Sequence, residues 1–205
     1  DVLCLGVKYG YLDDEYFSYE NATRIVERCK NSISGNVTSI RSAFSSLSSI
    51  RNYSKLYASL KSYISSRMND DIKSKMDYKR FLDVYEIVCK AFNEAPLSLA
   101  FSNYINGEIV QRLNDDKMQL RDGVGYMVRV YLIAPSSIQV KQNLEGMLAA
   151  LAVQAEQNNS SADRTAVNNA LLSTGNTFKS TVENARVQAS LSLIVDKVNS
   201  GSMAK

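Results

Sequence analysis

The stretch NVTSIRSAFSSLSSIRNYSKLYASLKSYISSRM, residues 36–68, decides the reading of this chain. Its large apolar residues are Val37, Ile40, Phe44, Leu47, Ile50, Tyr53, Tyr57, Leu60, Ile64 and Met68. They recur at steps of three or four, the spacing that sets side chains on one face of a helix. One three-residue step too many falls near Ile50, which turns the stripe around the helix axis. Between these residues stand mostly Ser, Arg and Lys. No acid occurs from Asn31 to Asn69, whereas Arg41, Arg51, Lys55, Lys61 and Arg67 do. The spacing predicts a long amphipathic helix over 36–68, or two helices in line, with a basic, serine-rich back. Such an element organises a fold and carries no chemistry of its own.

Working outward, residues 1–12, DVLCLGVKYGYL, alternate apolar residues with Cys4 and Gly6, as a short extended arm would. Asp13, Asp14 and Glu15 suit a cap and first helical turn, and Ala22, Ile25, Val26, Cys29 and Ile33 follow at helical spacing. Gly35 fits a helix end. C-terminal to the central stretch, Asn69-Asp70-Asp71 reads as a break and cap. It opens a helix over about 71–93 with Phe81, Val84, Tyr85, Val88 and Phe92 on one face. Pro96 starts the next helix, which Asn106-Gly107 threatens to split. Arg121 to Gly125, RDGVG, reads as a loop. The following YMVRVYLIA, 126–134, is read first as helix and second as a short extended segment, since it is rich in β-branched and aromatic residues. Helical stretches at about 137–157, 162–174 and 177–199 complete the chain.

The 205 residues are 45% hydrophobic, enough for a sizeable core, and hold only two prolines and nine glycines, a punctuation that suits long helices. The net charge of +3 is too mild to name a partner by itself. Histidine is absent, which removes its general acid–base catalysis, serine–histidine and cysteine–histidine nucleophiles, and the commonest transition-metal ligand. The three cysteines, Cys4, Cys29 and Cys89, are too scattered for a disulfide framework or a zinc site. No metal and no enzymatic activity are expected. The glycines at 123–125 lack the Lys-Ser or Lys-Thr of a phosphate-binding loop. The acid pairs at 13–14, 70–71 and 115–116 suit helix boundaries better than a metal or glycosidase site. No apolar run reaches bilayer-spanning length. A chain that begins at Asp1 is compatible with a removed targeting segment.

The cysteines carry the sharpest candidate. Cys29 and Cys89 fall on the apolar faces of predicted helices, where a small buried hydrophobe is the plainer reading. Their company suggests more. Arg24, Arg28 and Lys30 neighbour Cys29; Asp83, Tyr85 and Lys90 neighbour Cys89; and Tyr9, Tyr11, Tyr16, Phe17 and Tyr19 follow Cys4. Basic side chains bind propionates and aromatics pack on flat conjugated rings. In these isolated cysteines and the tyrosine-rich N-terminal third, the chain resembles the linker and gamma-type subunits of red-algal phycobilisomes. The resemblance implies a helical protein of a plastid light-harvesting assembly, with bilin on Cys29, Cys89 or Cys4 as cofactor. The phycobiliprotein pattern of Arg-Asp two and three residues after the cysteine is not met: Cys29 leads to Lys30-Asn31-Ser32 and Cys89 to Lys90-Ala91-Phe92.

The expected fold is all-α with about seven helices. A composition shift after Tyr131 suggests an N-terminal helical body, 1–120, and a C-terminal helical region, 121–205, with one continuous domain as the alternative. The expected function is non-enzymatic: a structural or linker-type protein within a larger assembly, whose partners are protein subunits. A basic helical coat or nucleic-acid-binding protein is the second reading, and a histidine-free enzyme the third. Five cations in nine turns are sparse for phosphate contacts, so a protein partner is favoured over nucleic acid.

Overall fold

A computed structural model describes residues 14–200, the side chains of 14–17 and 197–198 excepted. The extended arm expected at 1–12, with Cys4, lies outside the described residues. Nine α-helices and one 3-10 turn account for the described elements, with no strand among them. The helices are α1 (Asp14–Ser32), α2 (Val37–Phe44), α3 (Ser54–Lys73), α4 (Tyr78–Phe92), α5 (Ala95–Asn114), α6 (Leu120–Ile133), α7 (Ile138–Gln157), α8 (Ser161–Ser173) and α9 (Lys179–Asn199), with the 3-10 turn at Leu47–Ile50. The all-α expectation holds. The count of about seven does not, because several breaks use neither Gly nor Pro. Lys75, Asn93, Asp116, Asn159 and Asn176 turn the chain in the left-handed region, which Asn and Asp tolerate better than most residues.

The stretch 36–68, expected as one long helix or two helices in line, is two α-helices, α2 and α3, with a 3-10 turn between them. The stretch Phe44, Leu47, Ile50, Tyr53 runs in three consecutive steps of three, the period of a 3-10 helix rather than an α-helix. The chain adopts that form at Leu47–Ile50. Serine hydroxyls help it leave the α-helix: Ser45 Oγ donates to Ser42 O at 2.8 Å and Ser49 Oγ to Ser46 O at 2.7 Å. Such local bonds compete with the helical ladder. The apolar residues still face inward, since Ile40, Phe44, Leu47, Ile50, Leu60, Ile64 and Met68 are all buried. Asn69-Asp70-Asp71 does not break the chain either; α3 continues to Lys73. The break comes at 74–77, where Asp77 caps α4 by accepting from the Arg80 amide at 3.0 Å.

The chain forms two compact units, one reaching to Phe101 and the other starting at Ser102, so α5 begins in the first and ends in the second. Composition had placed the change at 120/121. In the first unit α1 packs on α2 and α3, and α2 packs on α4. Arg80 of α4 donates to the carbonyls of Ile33 and Gly35, which fastens the turn between α1 and α2. The core is aromatic: Phe81 lies 4.5 Å from Tyr85 and 6.2 Å from Phe101 between ring centroids. One polar cluster enters it. Asp71 accepts from Tyr85 Oη at 2.7 Å and pairs with Arg67 Nε at 3.3 Å. Burial first, and then the bond to Asp71, push the Tyr85 phenol well above its usual range, so it stays a donor.

In the second unit α7 is central and packs against α6, α8 and α9. Its core includes Val124, Met127, Val130, Leu144, Leu148, Leu151, Val167, Phe178 and Val182. The extended segment admitted at 126–134 is helical, and so is RDGVG, expected as a loop. Both belong to α6, and the reason is packing. Gly123 is buried so closely that an added Cβ would stand 2.9 Å from Met147 Cε and 3.1 Å from Leu113 Cδ1. Its missing side chain lets helices approach, and the apolar residues after it recur at helical spacing. β-Branched composition is overridden by that burial. Asn106-Gly107 leaves α5 unbroken, with Asn106 accepting from Asn143 Nδ2 at 2.8 Å.

These glycines yield a test. Gly125 and Gly146 lie in helices with nothing within 4 Å of an added Cβ. Gly125→Ala and Gly146→Ala are expected to stabilise the protein by about 0.5–1 kcal/mol each, the helix-propensity difference. Gly123→Ala is expected to gain less than the other two, because the Met147 methyl and the Leu113 methyls must shift to admit the Cβ. Urea unfolding of the three variants compares them. Equal stabilisation by all three would refute the close approach at Gly123.

Candidate functional site

The sequence offered two candidates, the cysteines and the basic back of residues 36–68. Both described thiols are free and buried, Cys29 at 0% and Cys89 at 1% exposure. Cys29 reaches its place because α1 turns its apolar face onto α2; its Sγ donates to Ala43 O at 3.5 Å, a weak bond between the two helices. Burial pushes the Cys29 thiol up to about 11, against the opposing pull of Arg28. Burial alone pushes Cys89 up to about 12. Both are therefore protonated near neutral pH, the state of an inert core thiol rather than a nucleophile. The two are not joined by a disulfide. A covalent group as large as a tetrapyrrole on either sulfur requires the surrounding helices to part, because neither sulfur lies at the surface.

The basic residues divide into two sets. Lys61 pairs with Glu94, and Arg67 pairs with the buried Asp71. Arg67 is thus a partner of the core cluster, not part of an open cationic face. Arg41, Arg51 and Lys55 are exposed and stand in no ion pair among the described residues. An open groove of about 350 Å³ runs between α1 and α2, lined by Arg28, Ser32, Thr38, Ser39, Ser42 and Ala43. Arg28 Nη2 donates to Ser42 Oγ at 2.6 Å across it. Asn36 caps α2 through the Ser39 amide at 2.8 Å, and no acid lies in the first turn of that helix. The groove therefore offers hydroxyls and a cation without a carboxylate. Sequence reading missed it, because Arg28 and the serines of α2 are brought together only by the turn at 33–36.

Other charged groups tie helices together. In the second unit Asp163 accepts from Arg121 Nη1 at 3.4 Å and from Gln154 Nε2 at 3.3 Å. Glu156 accepts from Arg164 Nη2 at 3.1 Å, with Arg186 Nε at 3.9 Å. Among the described residues no group of three or more His, Cys, Asp or Glu could hold a metal ion. None of the described helices is long and apolar enough to cross a membrane. No protein-family model, curated protein or solved structure matches the chain.

Proposed function

We propose that the protein is a non-enzymatic helical component of a larger assembly, and that it engages an acidic surface of a protein partner through Arg41, Arg51 and Lys55. The observation that carries this reading is the set of three exposed cations, without an ion pair among the described residues, in a stretch that has no acid from Asn31 to Asn69. Exposed charges contribute little to folding, so three left unpaired on one stretch have their use outside the molecule.

Nucleic acid is the second reading. Tyr19 and Tyr63 of the first unit are 50% and 41% exposed and could stack on bases. Helix α1, which holds Tyr19, also carries Glu20 and Glu27, paired with Arg24 and Lys30, and these carboxylates repel a phosphate backbone. A protein partner fits better. The pigment-bearing form of the proposal, a plastid phycobilisome linker with bilin on Cys29, Cys89 or Cys4, draws on the sequence resemblance alone. The burial of Cys29 and Cys89 weighs against those two positions.

The test is charge reversal. The triple variant Arg41→Glu, Arg51→Glu, Lys55→Glu, tagged and expressed in the native host, is expected to keep its helical circular dichroism and to lose its co-purifying partners. Loss of the same partners from the unaltered chain on raising salt from roughly 0.1 to 0.5 M should accompany it, as the screening length shrinks. Arg67 stays unaltered, since a glutamate beside Asp71 would strain the core. Partners retained by the reversed variant would remove this surface from consideration. An absorbance excess at 260 nm in the native complex would select the nucleic-acid reading.

A further inference from the structure

The groove between α1 and α2 gathers hydrogen-bond donors that have nothing to donate to. Its wall on α1 is Arg28 and Ser32, one helical turn apart and therefore on one face. Its wall on α2 is Thr38, Ser39 and Ser42, spaced so that all three also share a face. Ala43 and the short serines leave about 350 Å³ between the walls, within the range of about 300–1,000 Å³ typical of small-molecule sites. Cys29 Sγ, bonded to Ala43 O at 3.5 Å, ties the two helices together at one of the lining residues.

We propose that this groove binds a phosphate group, either free or as the monoester of a small molecule. The inference is independent of the basic surface at Arg41, Arg51 and Lys55. Arg28 donates to Ser42 Oγ at 2.6 Å and stands in no ion pair among the described residues. A guanidinium has five N–H donors, so most of its capacity is left over. Ser42 accepts that bond, and its own proton remains to be given. The hydroxyls of Thr38 and Ser39 likewise have no acceptor among the described residues. Ser32 differs, since its Oγ already donates to Cys29 O at 2.8 Å.

Charge and donor number select the ligand. A cationic ligand has no counterpart here, because no carboxylate lines the groove and no acid occurs from Asn31 to Asn69. Glu27, the acid next to Arg28 in sequence, is paired with Lys30. An apolar ligand would displace water from these donors and leave them unsatisfied. A carboxylate brings two oxygens in one plane. A phosphate monoester presents three strongly accepting oxygens in a tetrahedral array, which donors on two facing walls can meet from both sides. Thr38 and Ser39 also belong to the first turn of α2, where no acid stands, so the positive end of that helix adds to the attraction for an anion.

Isothermal titration calorimetry of the intact chain with inorganic phosphate, O-phosphoserine and succinate tests the proposal. The two phosphates are expected to bind, and succinate to bind about tenfold more weakly or not at all. Arg28→Gln is expected to weaken phosphate binding about tenfold or more, the loss of charge-assisted bonds. Thr38→Val and Ser39→Ala are expected to weaken it about 2–10-fold each, the worth of a neutral hydrogen bond. Arg24→Gln, at a residue paired with Glu20 and outside the groove lining, is expected to keep the parent affinity. Circular dichroism checks that each variant keeps its helicity. Tighter binding of O-phosphoserine than of inorganic phosphate assigns the groove to a phosphorylated small molecule, and the reverse order assigns it to free phosphate. Absence of binding at roughly 10 mM of either phosphate overturns the proposal. Binding that survives Arg28→Gln, or a succinate affinity equal to that of phosphate, overturns it equally.

Discussion

Phe81→Ala is expected to destabilise the first unit by about 3–5 kcal/mol. Phe81 is fully buried, and its ring stands against Tyr85 and Phe101. Truncation removes those contacts and leaves a cavity between α4 and α5 that neighbouring rings cannot close without leaving their rotamers. Against the ~5–15 kcal/mol that holds a typical domain together, this is a large fraction. Leu47→Ala and Leu60→Ala, at residues 1% and 0% exposed, are expected to cost about 2–5 kcal/mol each by the same mechanism. Ser48→Ala, on the exposed side of the 3-10 turn, is expected to fall within about 0.5 kcal/mol of the parent. Chemical denaturation monitored by circular dichroism measures all four. A Ser48 variant as unstable as the Leu47 variant would mean that the inward face of residues 44–53 has been misassigned.

The thiols give the second large effect. Native Cys29 and Cys89 are expected to alkylate at pH 8 on the order of 10²–10³ times more slowly than after unfolding, from thiolate population alone. Their thiols are pushed to about 11 and about 12 by burial, so the reactive thiolate is scarce, and access is closed as well. Because the folded chain holds these protons more tightly than the unfolded one, they also make stability depend on pH. Their contribution is complete below about pH 8.5, the unfolded thiol value. It falls as pH rises toward 11 and 12. Iodoacetamide labelling and peptide mass analysis, before and after denaturation with reductant, read both residues. Rapid native labelling of either would contradict its burial. In protein from the native source, a cysteine that stays unlabelled after denaturation and carries the added mass of a tetrapyrrole would establish bilin attachment. Unmodified thiols at Cys4, Cys29 and Cys89 would end the pigment reading.

The fold was legible where hydrophobic spacing is long and regular. Phe81, Val84, Tyr85, Val88 and Phe92 were read as one face of one helix, and all five are buried on α4. Other elements were misread because local residue type and tertiary contact disagree. Gly123 and Gly125 resemble loop glycines by type. Gly123 is a packing glycine in α6, and that role is visible only once Leu113 and Met147 are placed beside it. Asp71, beside Asp70 and after Asn69, resembles a cap. Its carboxylate is held by Tyr85 fourteen residues away, a pairing that no local pattern encodes.

The same division runs through the candidate surfaces. The sequence by itself determined that the protein is helical, that Cys29 and Cys89 lie on apolar faces, and that residues 31–69 contain cations without acids. Periodicity and composition are local quantities, and these conclusions need nothing further. Which cations remain open was decided in part by tertiary structure: Lys61 finds Glu94 only when α3 is packed beside it, whereas Arg67 reaches Asp71 one turn further along α3 itself. Which face of α9 is left over was decided there too. Val182, Ala185 and Ala189 make one helical stripe and Val187, Leu191 and Ile194 another, and spacing alone does not rank them. Packing against α7 buries the first set and leaves the second in solvent, since a helix can turn only one side to its neighbour.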